Sequence, residues 1–99
     1  MNYSIKLLPE ARTDIKDIID YYEEQQSGLG ARFFKQLLPS IRQISQHPAI
    51  FQIRHKKVRQ APVKKFPIWI HYLIEETEKQ VVIIAVTHSS RNPQVWKDR

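Results

Sequence analysis

Apolar residues in the first half of the chain recur every three or four positions, which is the spacing of one face of an α-helix. The first stripe comprises Ala11, Ile15, Ile18, Ile19 and Tyr22. The second stripe comprises Ala31, Phe34, Leu37, Leu38, Ile41 and Ile44. Pro9 suits the opening turn of the first helix, where a backbone N–H is not needed, and a short strand is predicted before it over residues 3–8.

The two stripes predict an antiparallel helical hairpin. The segment 27–30, Ser-Gly-Leu-Gly, interrupts the pattern and offers Ser27 as the N-cap of the second helix. Pro39 lies inside the second stripe and removes one helical hydrogen bond, yet the apolar spacing continues across it. We therefore expect one kinked helix there, ending near His47 and Pro48.

From residue 50 the pattern changes to the alternation and the apolar runs of β-strands. Strands are predicted over residues 50–54, 58–63, 66–76 and 80–89. Pro62 makes the second of these an edge or a bent strand, whereas the last two are apolar on both faces and should be central, joined by a hairpin turn at 76–79. The result is a single α+β domain over residues 1–99, with the order β-α-α-β-β-β-β. Its twisted, mostly antiparallel sheet carries the helical hairpin on one face.

Composition excludes several kinds of site. The chain has no cysteine, which excludes disulfides and thiolate chemistry. No histidines or acids stand at metal-ligand spacing, so we expect no metal and no cofactor. No stretch approaches the ~20 apolar residues of a membrane span, and the N-terminal residues lack an apolar run of signal-peptide length. We therefore expect a cytoplasmic protein that does not act on membranes.

Charge is distributed unevenly along the chain, whose formal net charge is +6. Six acids fall between residues 10 and 24, against two bases. They lie mostly off the apolar stripe of the first helix and are predicted to face water. The segment 54–67, RHKKVRQAPVKKFP, instead holds six lysines and arginines and no acid. Such a run is either a solvated loop or a surface for a polyanion, in which each cation that meets a phosphate releases a counterion. The candidate phosphate-binding residues of the run are Arg54, Lys56, Lys57, Arg59, Lys64 and Lys65.

Three further residues near the end of the chain could carry chemistry. His88 ends the last predicted strand and can accept or donate a proton near neutral pH, although a capping or packing role is the simpler explanation for a single histidine at a strand end. Arg91 follows it beside a turn and could stabilise charge on a phosphoryl group. Trp96 can stack on a base or close the core, and core closure is the favoured explanation for a tryptophan near a C-terminus. We expect these residues and the cationic run to converge on the sheet face, or the sheet end, that the helices leave uncovered.

Four segments in order resemble the RelE/ParE toxin family of type II toxin–antitoxin modules. They are GLGARF between the helices, the dipeptide Val58-Arg59, FPIWIHY, and the closing AVTHSSRNPQVW. The resemblance runs from Ala11 to Arg99. It implies a plasmid-stabilisation type of toxin that inhibits growth and is neutralised by a cognate antitoxin, whose disordered C-terminal segment wraps it. A basic groove beside an apolar sheet would accept such a segment.

The resemblance implies two alternative activities. ParE-like members poison DNA gyrase without being enzymes, whereas RelE-like members are endoribonucleases that cleave mRNA in the ribosomal A site. In a nuclease, His88 would move protons, with Arg59 and Arg91 around the scissile phosphate. RelE-like nucleases commonly carry a tyrosine or histidine in the tail, where this chain has Trp96, whose indole N–H is no proton shuttle. That departure favours gyrase as the target; a binding module without toxicity is the third possibility.

Overall fold

Residues 2–99 fold into one five-stranded sheet with two long helices on one face and a third, short helix near the C-terminal end. The computed structural model describes residues 2–99. The elements in chain order are β1 (Ser4–Leu7), α1 (Pro9–Gln25), α2 (Leu29–Gln46), β2 (Ile53–His55), β3 (Val58–Pro62), β4 (Ile68–Glu75), β5 (Gln80–His88) and α3 (Gln94–Lys97). The predicted order is confirmed, except that α3 occupies a segment for which only a turn was expected.

The strands lie in the order β1-β5-β4-β3-β2. Only the β1–β5 pair is parallel among the pairs of residues 2–99, and the other pairs are antiparallel. Of the two alternatives predicted for β3, an edge strand or a bent strand, the edge position is wrong, because β3 pairs with both β2 and β4. Pro62 is tolerated there because it is the last residue of the strand, opposite Trp69. The edge strand on that side is β2, a strand of three residues.

The main core lies between the helical hairpin and the sheet. Phe33, Leu37 and Ile44 of α2 are buried, while Phe34 and Leu38 are 42% and 46% exposed. The predicted stripe of α2 was therefore rotated by about one residue. Helix packing explains the difference, because Gly30 and not Ala31 meets α1.

The turn between the helices depends on both glycines of the Gly-Leu-Gly sequence. Gly28 is the N-cap of α2 and has a φ of 87°, a left-handed conformation that glycine adopts without steric cost. A Cβ on Gly30 would lie 2.7 Å from the Ile19 carbonyl oxygen, so only glycine lets the two helix backbones approach this closely. The Glu23 carboxylate accepts hydrogen bonds from the N–H groups of Gly28 (2.9 Å) and Gly30 (3.1 Å). The prediction that Ser27 caps α2 is therefore wrong, and the Glu23 carboxylate accepts the hydrogen bonds from the N–H groups at the start of this helix.

The second face of the sheet is covered in part by the C-terminal tail, residues 89–99. Trp96 of α3 is 4% exposed and packs in a small second core with Val58, Ile84 and Ala85. The end of the tail then reaches α1 of the helical hairpin, where the Arg99 guanidinium pairs with Asp14 at 2.5 Å. The face that we expected to be open is therefore partly closed. Among the described residues, no helix is long and apolar enough to cross a membrane.

Candidate functional site

The cationic run does not form one continuous patch. Arg54, Lys56 and Lys57, which we call the hairpin cluster, lie in β2 and in the β2–β3 turn. Lys64 and Lys65, which we call the turn cluster, lie in the connection from β3 to β4. The five residues of β3 separate the two clusters, which at the rise of a strand is about 17 Å. The sequence places these charges side by side, but the strand carries them to opposite ends.

Neither cluster is neutralised by the protein itself. Within residues 2–99 the ion pairs are Lys16–Asp20 (2.8 Å) and Arg99–Asp14 (2.5 Å), and neither includes a residue of the cationic run. All five side chains of the two clusters are exposed. Like charges held close together repel one another, and folding does not remove this electrostatic repulsion. An anionic partner would therefore lower the free energy of the surface by neutralising it. This is the arrangement expected of a polyanion-binding surface.

Arg59, the remaining cation of the run, holds a loop. Its Nη1 donates to the carbonyl oxygens of Phe51 (2.7 Å) and Ala49 (3.3 Å). The hydroxyl of Tyr72, opposite Arg59 in the sheet, donates to the Pro48 carbonyl oxygen at 2.5 Å, and burial raises the pKa of this phenol to about 12. The two side chains together fasten the connection from α2 to β2. Arg59 therefore faces the helical side of the sheet, and its Nη1 is already hydrogen-bonded to backbone carbonyls.

The three residues predicted to act in a nuclease are not brought together. Arg59 pairs with Tyr72 and His88 pairs with Ile68, four residues apart on β4. That spacing is about 13 Å along the strand, and β4 itself lies between β3 and β5. His88 and Arg91 do meet, in a groove that we call the β5 groove. Arg59 lies far outside it.

The β5 groove lies between α1, the end of β5 and the tail, and has a volume of about 480 Å³. Tyr21, Tyr22 and Ile18 of α1 form one wall, with His88, Ser90 and Arg91 opposite. Ser90 donates both its backbone N–H (3.1 Å) and its hydroxyl (2.8 Å) to Nδ1 of His88. Because a backbone N–H can only donate, Nδ1 must accept, and neutral His88 carries its proton on Nε2. In this tautomer the free ring nitrogen is a donor and not a base.

Two acids of α1, predicted to face water, line the same groove. Asp14 accepts a hydrogen bond from the Val86 N–H at 3.0 Å and pairs with Arg99, whose Nη1 also donates to the Ile84 carbonyl oxygen at 3.2 Å. Asp14 and Arg99 thereby occupy the part of the β5 edge that β1 does not reach. Asp17 lies nearby. Arg99 neutralises Asp14, whereas Asp17 has no ion pair among residues 2–99, and its carboxylate would repel a phosphate placed in this groove.

Trp96 is not available as a surface for a nucleic-acid base, because it is buried against His71. The two rings are stacked with centroids 4.1 Å apart and planes at 26°. The ring nitrogens of His71 lie 2.8 Å from the Thr87 hydroxyl and 3.4 Å from the Gln60 side-chain amide. His71 is 1% exposed, and burial lowers its pKa from 6.5 to about 4, with a smaller raising effect of Asp14 and a lowering effect of Arg99.

The buried His71 predicts acid sensitivity well above the range in which carboxylates titrate. The unfolded chain binds a proton at this residue below about pH 6.5, whereas the folded chain does so only near pH 4, so the unfolding free energy falls as the pH falls between those values. The full loss, reached near pH 4, is about 3 kcal/mol, and the part that falls above pH 5.0 is about 2 kcal/mol. Urea denaturation at pH 7.5, 6.5, 5.5 and 5.0 measures it, with His71→Gln as the control in which this slope disappears. A wild-type stability that is constant from pH 7.5 to 5.0 would contradict the burial of a neutral His71.

Comparison with known proteins gives both a family match and fold matches. The model of the family described as "ParE toxin of type II toxin-antitoxin system, parDE" matches residues 5–93. The chromosomal ParDE system of P. aeruginosa matches with a TM-score of 0.76 and 16% identity, over 87% of this chain and 95% of that chain. The RelBE2 complex of Mycobacterium tuberculosis gives 0.67 and 18%, over 89% and 92%. A free-state mutant of E. coli RelE gives 0.70 and 15%, over 91% and 86%. A search of curated protein sequences found no match.

Proposed function

Because the chain belongs to the ParE toxin family of type II toxin–antitoxin systems, we propose that it arrests growth by poisoning DNA gyrase and that a cognate antitoxin neutralises it. The observation that carries this proposal is the pair of cationic clusters, which are exposed and have no internal ion pair among residues 2–99. A surface of this kind binds a polyanionic target by charge and shape. It needs no catalytic group.

The arrangement of the predicted nuclease residues supports a toxin that binds rather than cleaves. His88 and Arg59 lie on different strands, about 13 Å apart along the sheet alone. His88 offers an N–H donor at its free nitrogen, so it is not poised to activate a ribose hydroxyl. Trp96, at the tail position where a proton-transfer residue would be expected, is buried. A non-enzymatic action on gyrase requires none of these groups.

The proposed antitoxin is an acidic, amphipathic segment that becomes ordered on binding. The surface offers it large exposed apolar side chains on α2, Phe34 and Leu38, and others before and in β2, Ile50 and Ile53. The hairpin cluster lies beside Ile53. Apolar anchors flanked by cations fit a partner that alternates apolar and acidic residues. Several of the similar folds are those of proteins solved as toxin–antitoxin complexes.

The proposal predicts a gyrase-dependent DNA cleavage product. Purified protein incubated with gyrase, ATP and supercoiled plasmid is expected to yield linear DNA after detergent and protease treatment, and none when gyrase is omitted. The assay is run beside induction of the toxin in cells with and without its antitoxin. Growth arrest with new mRNA ends at A-site codons and no linear plasmid would identify the ribosome, and not gyrase, as the target. Undisturbed growth would leave only a binding module.

A further inference from the structure

A second, smaller groove lies between α2 and the β3–β4 connection, and we call it the α2 groove. Its volume is about 190 Å³, and it is lined by Arg32, Lys35, Gln36, Lys65 and Phe66. Arg32 and Lys35 are three residues apart on α2 and so lie on one side of that helix. The lining contains three cations and no acid, and none of the three forms an ion pair with a described residue.

A turn in the β3–β4 connection places Lys65 beside the two cations of α2. Lys65 has a φ of 72° and is the third residue of a turn that the Phe66 N–H closes on the Val63 carbonyl oxygen at 3.2 Å. Glycine or asparagine is the usual residue at this left-handed position. A lysine there costs conformational free energy and also adds a like charge beside Arg32 and Lys35. Lys56 and Lys79 are left-handed as well (φ 53° and 51°), so the conformation alone does not indicate a ligand. The added like charge does, because no acid of the groove offsets it.

We propose that the α2 groove binds a phosphate group of a nucleic-acid backbone. The guanidinium of Arg32 matches two oxygens of a phosphate, and two lysines supply the remaining charge. The half-buried ring of Phe66 adds an apolar edge for a sugar or base. An acidic peptide would need several apolar pockets, whereas this narrow groove has one ring. The inference goes beyond the gyrase proposal, with which it shares Lys65, and does not depend on it, because binding to free nucleic acid is measured without gyrase.

The test uses a substitution that removes the charge and relieves the backbone. Lys65→Asn places in the turn a residue that accepts the left-handed conformation, so its melting temperature is expected to be no lower than that of the wild type. Its matched control is Lys79→Asn, which removes the same charge from another left-handed lysine (φ 51°) in the β4–β5 turn, outside both grooves. Arg32→Gln with Lys35→Gln removes the other two cations of the α2 groove.

Binding is measured by fluorescence anisotropy with labelled 20-mers of duplex DNA, single-stranded DNA and single-stranded RNA, between 50 and 200 mM NaCl. On duplex DNA, the slope of log K against log salt concentration is expected to fall in magnitude by about 1 in Lys65→Asn and by about 2 in the double variant. Lys79→Asn is expected to keep the wild-type slope. The nucleic acid with the largest change identifies the source of the phosphate.

Two results would overturn the α2 groove as a phosphate site. In the first, Lys65→Asn and the double variant keep the wild-type slope on all three nucleic acids. In the second, Lys79→Asn lowers the slope as much as Lys65→Asn does, which would make the effect one of net charge alone. Poly-glutamate serves as the competing polyanion, and loss of binding to it without any loss on nucleic acid would assign the groove to an acidic protein. These measurements need no gyrase, so failure of the gyrase proposal leaves their outcome unaffected.

Discussion

Replacing Trp96 with alanine is expected to lower the free energy of unfolding by about 4 kcal/mol, because it removes a large buried side chain that nothing nearby can replace. Trp96 fills the second core against Ile84 and Ala85 and stacks on His71. The truncation would leave a cavity on the sheet face that the helices do not cover. It would also hydrate His71, so the pKa of that histidine would return toward 6.5 and the acid sensitivity would shrink.

Guanidinium chloride denaturation at pH 7.5 and pH 5.5 measures both consequences in one experiment. Trp96→Phe is the control, since it keeps a ring on His71 and is expected to lose clearly less stability than Trp96→Ala. The difference between the two pH values should be large in the wild type and in Trp96→Phe and small in Trp96→Ala. A loss below about 1 kcal/mol in Trp96→Ala would mean that the tail contributes little to the folded state.

Periodicity predicted the elements of this fold because each pattern reflects a local rule. A helix stripe and a strand alternation depend on which side of the same element meets the core. The apolar pattern did not predict which face of α2 is buried, because Phe33 and Phe34 are both apolar and only one of them can face inward. The choice is made by Gly30 against the Ile19 carbonyl oxygen, a contact between two helices. The sequence contains both residues, but no local pattern indicates that Gly30 packs against Ile19.

The site could be predicted in composition but not in arrangement. Six cations adjacent in sequence become two clusters and one loop anchor, because β3 runs between them and alternates its side chains between the two faces of the sheet. Asp14 was predicted to face water, yet it holds the Val86 N–H and Arg99. Such a contact joins residues 85 positions apart. No local pattern records it.

The tail illustrates the same limit on a functional residue. A tryptophan among charged residues near the end of a chain suits a partner surface as well as a core. The decision depends on whether a face of the sheet is left to cover, and here His71 and Thr87 lie on that face beneath it. The short helix α3 forms because Trp96 is anchored there. Its four residues would not hold a helix in isolation.

Reversing the charge of the hairpin cluster is expected to abolish growth inhibition. Arg54→Glu with Lys57→Glu replaces two exposed cations that have no internal partner among residues 2–99, so the unfolding free energy should change by less than about 1 kcal/mol. Facing a polyanionic target, the new carboxylates add repulsion to the loss of attraction. Like charges at an interface cost several kcal/mol, which corresponds to a binding loss of about 100-fold or more. Lys56 is left unchanged because its backbone is left-handed (φ 53°), so a substitution there would change the turn as well as the charge.

The matched control is Lys6→Glu with Arg42→Glu, which changes the net charge equally at exposed positions on β1 and α2, outside both clusters and both grooves. Growth after induction and gyrase-dependent linear DNA are measured for the wild type and both variants at two salt concentrations. The control should remain toxic, because an effect of overall charge is screened over about 8 Å in physiological salt and does not reach a contact surface elsewhere. Equal loss in both variants would attribute toxicity to net charge. Full toxicity in the hairpin variant would exclude the hairpin cluster from the surface that meets the target. The turn cluster would then have to supply that contact alone.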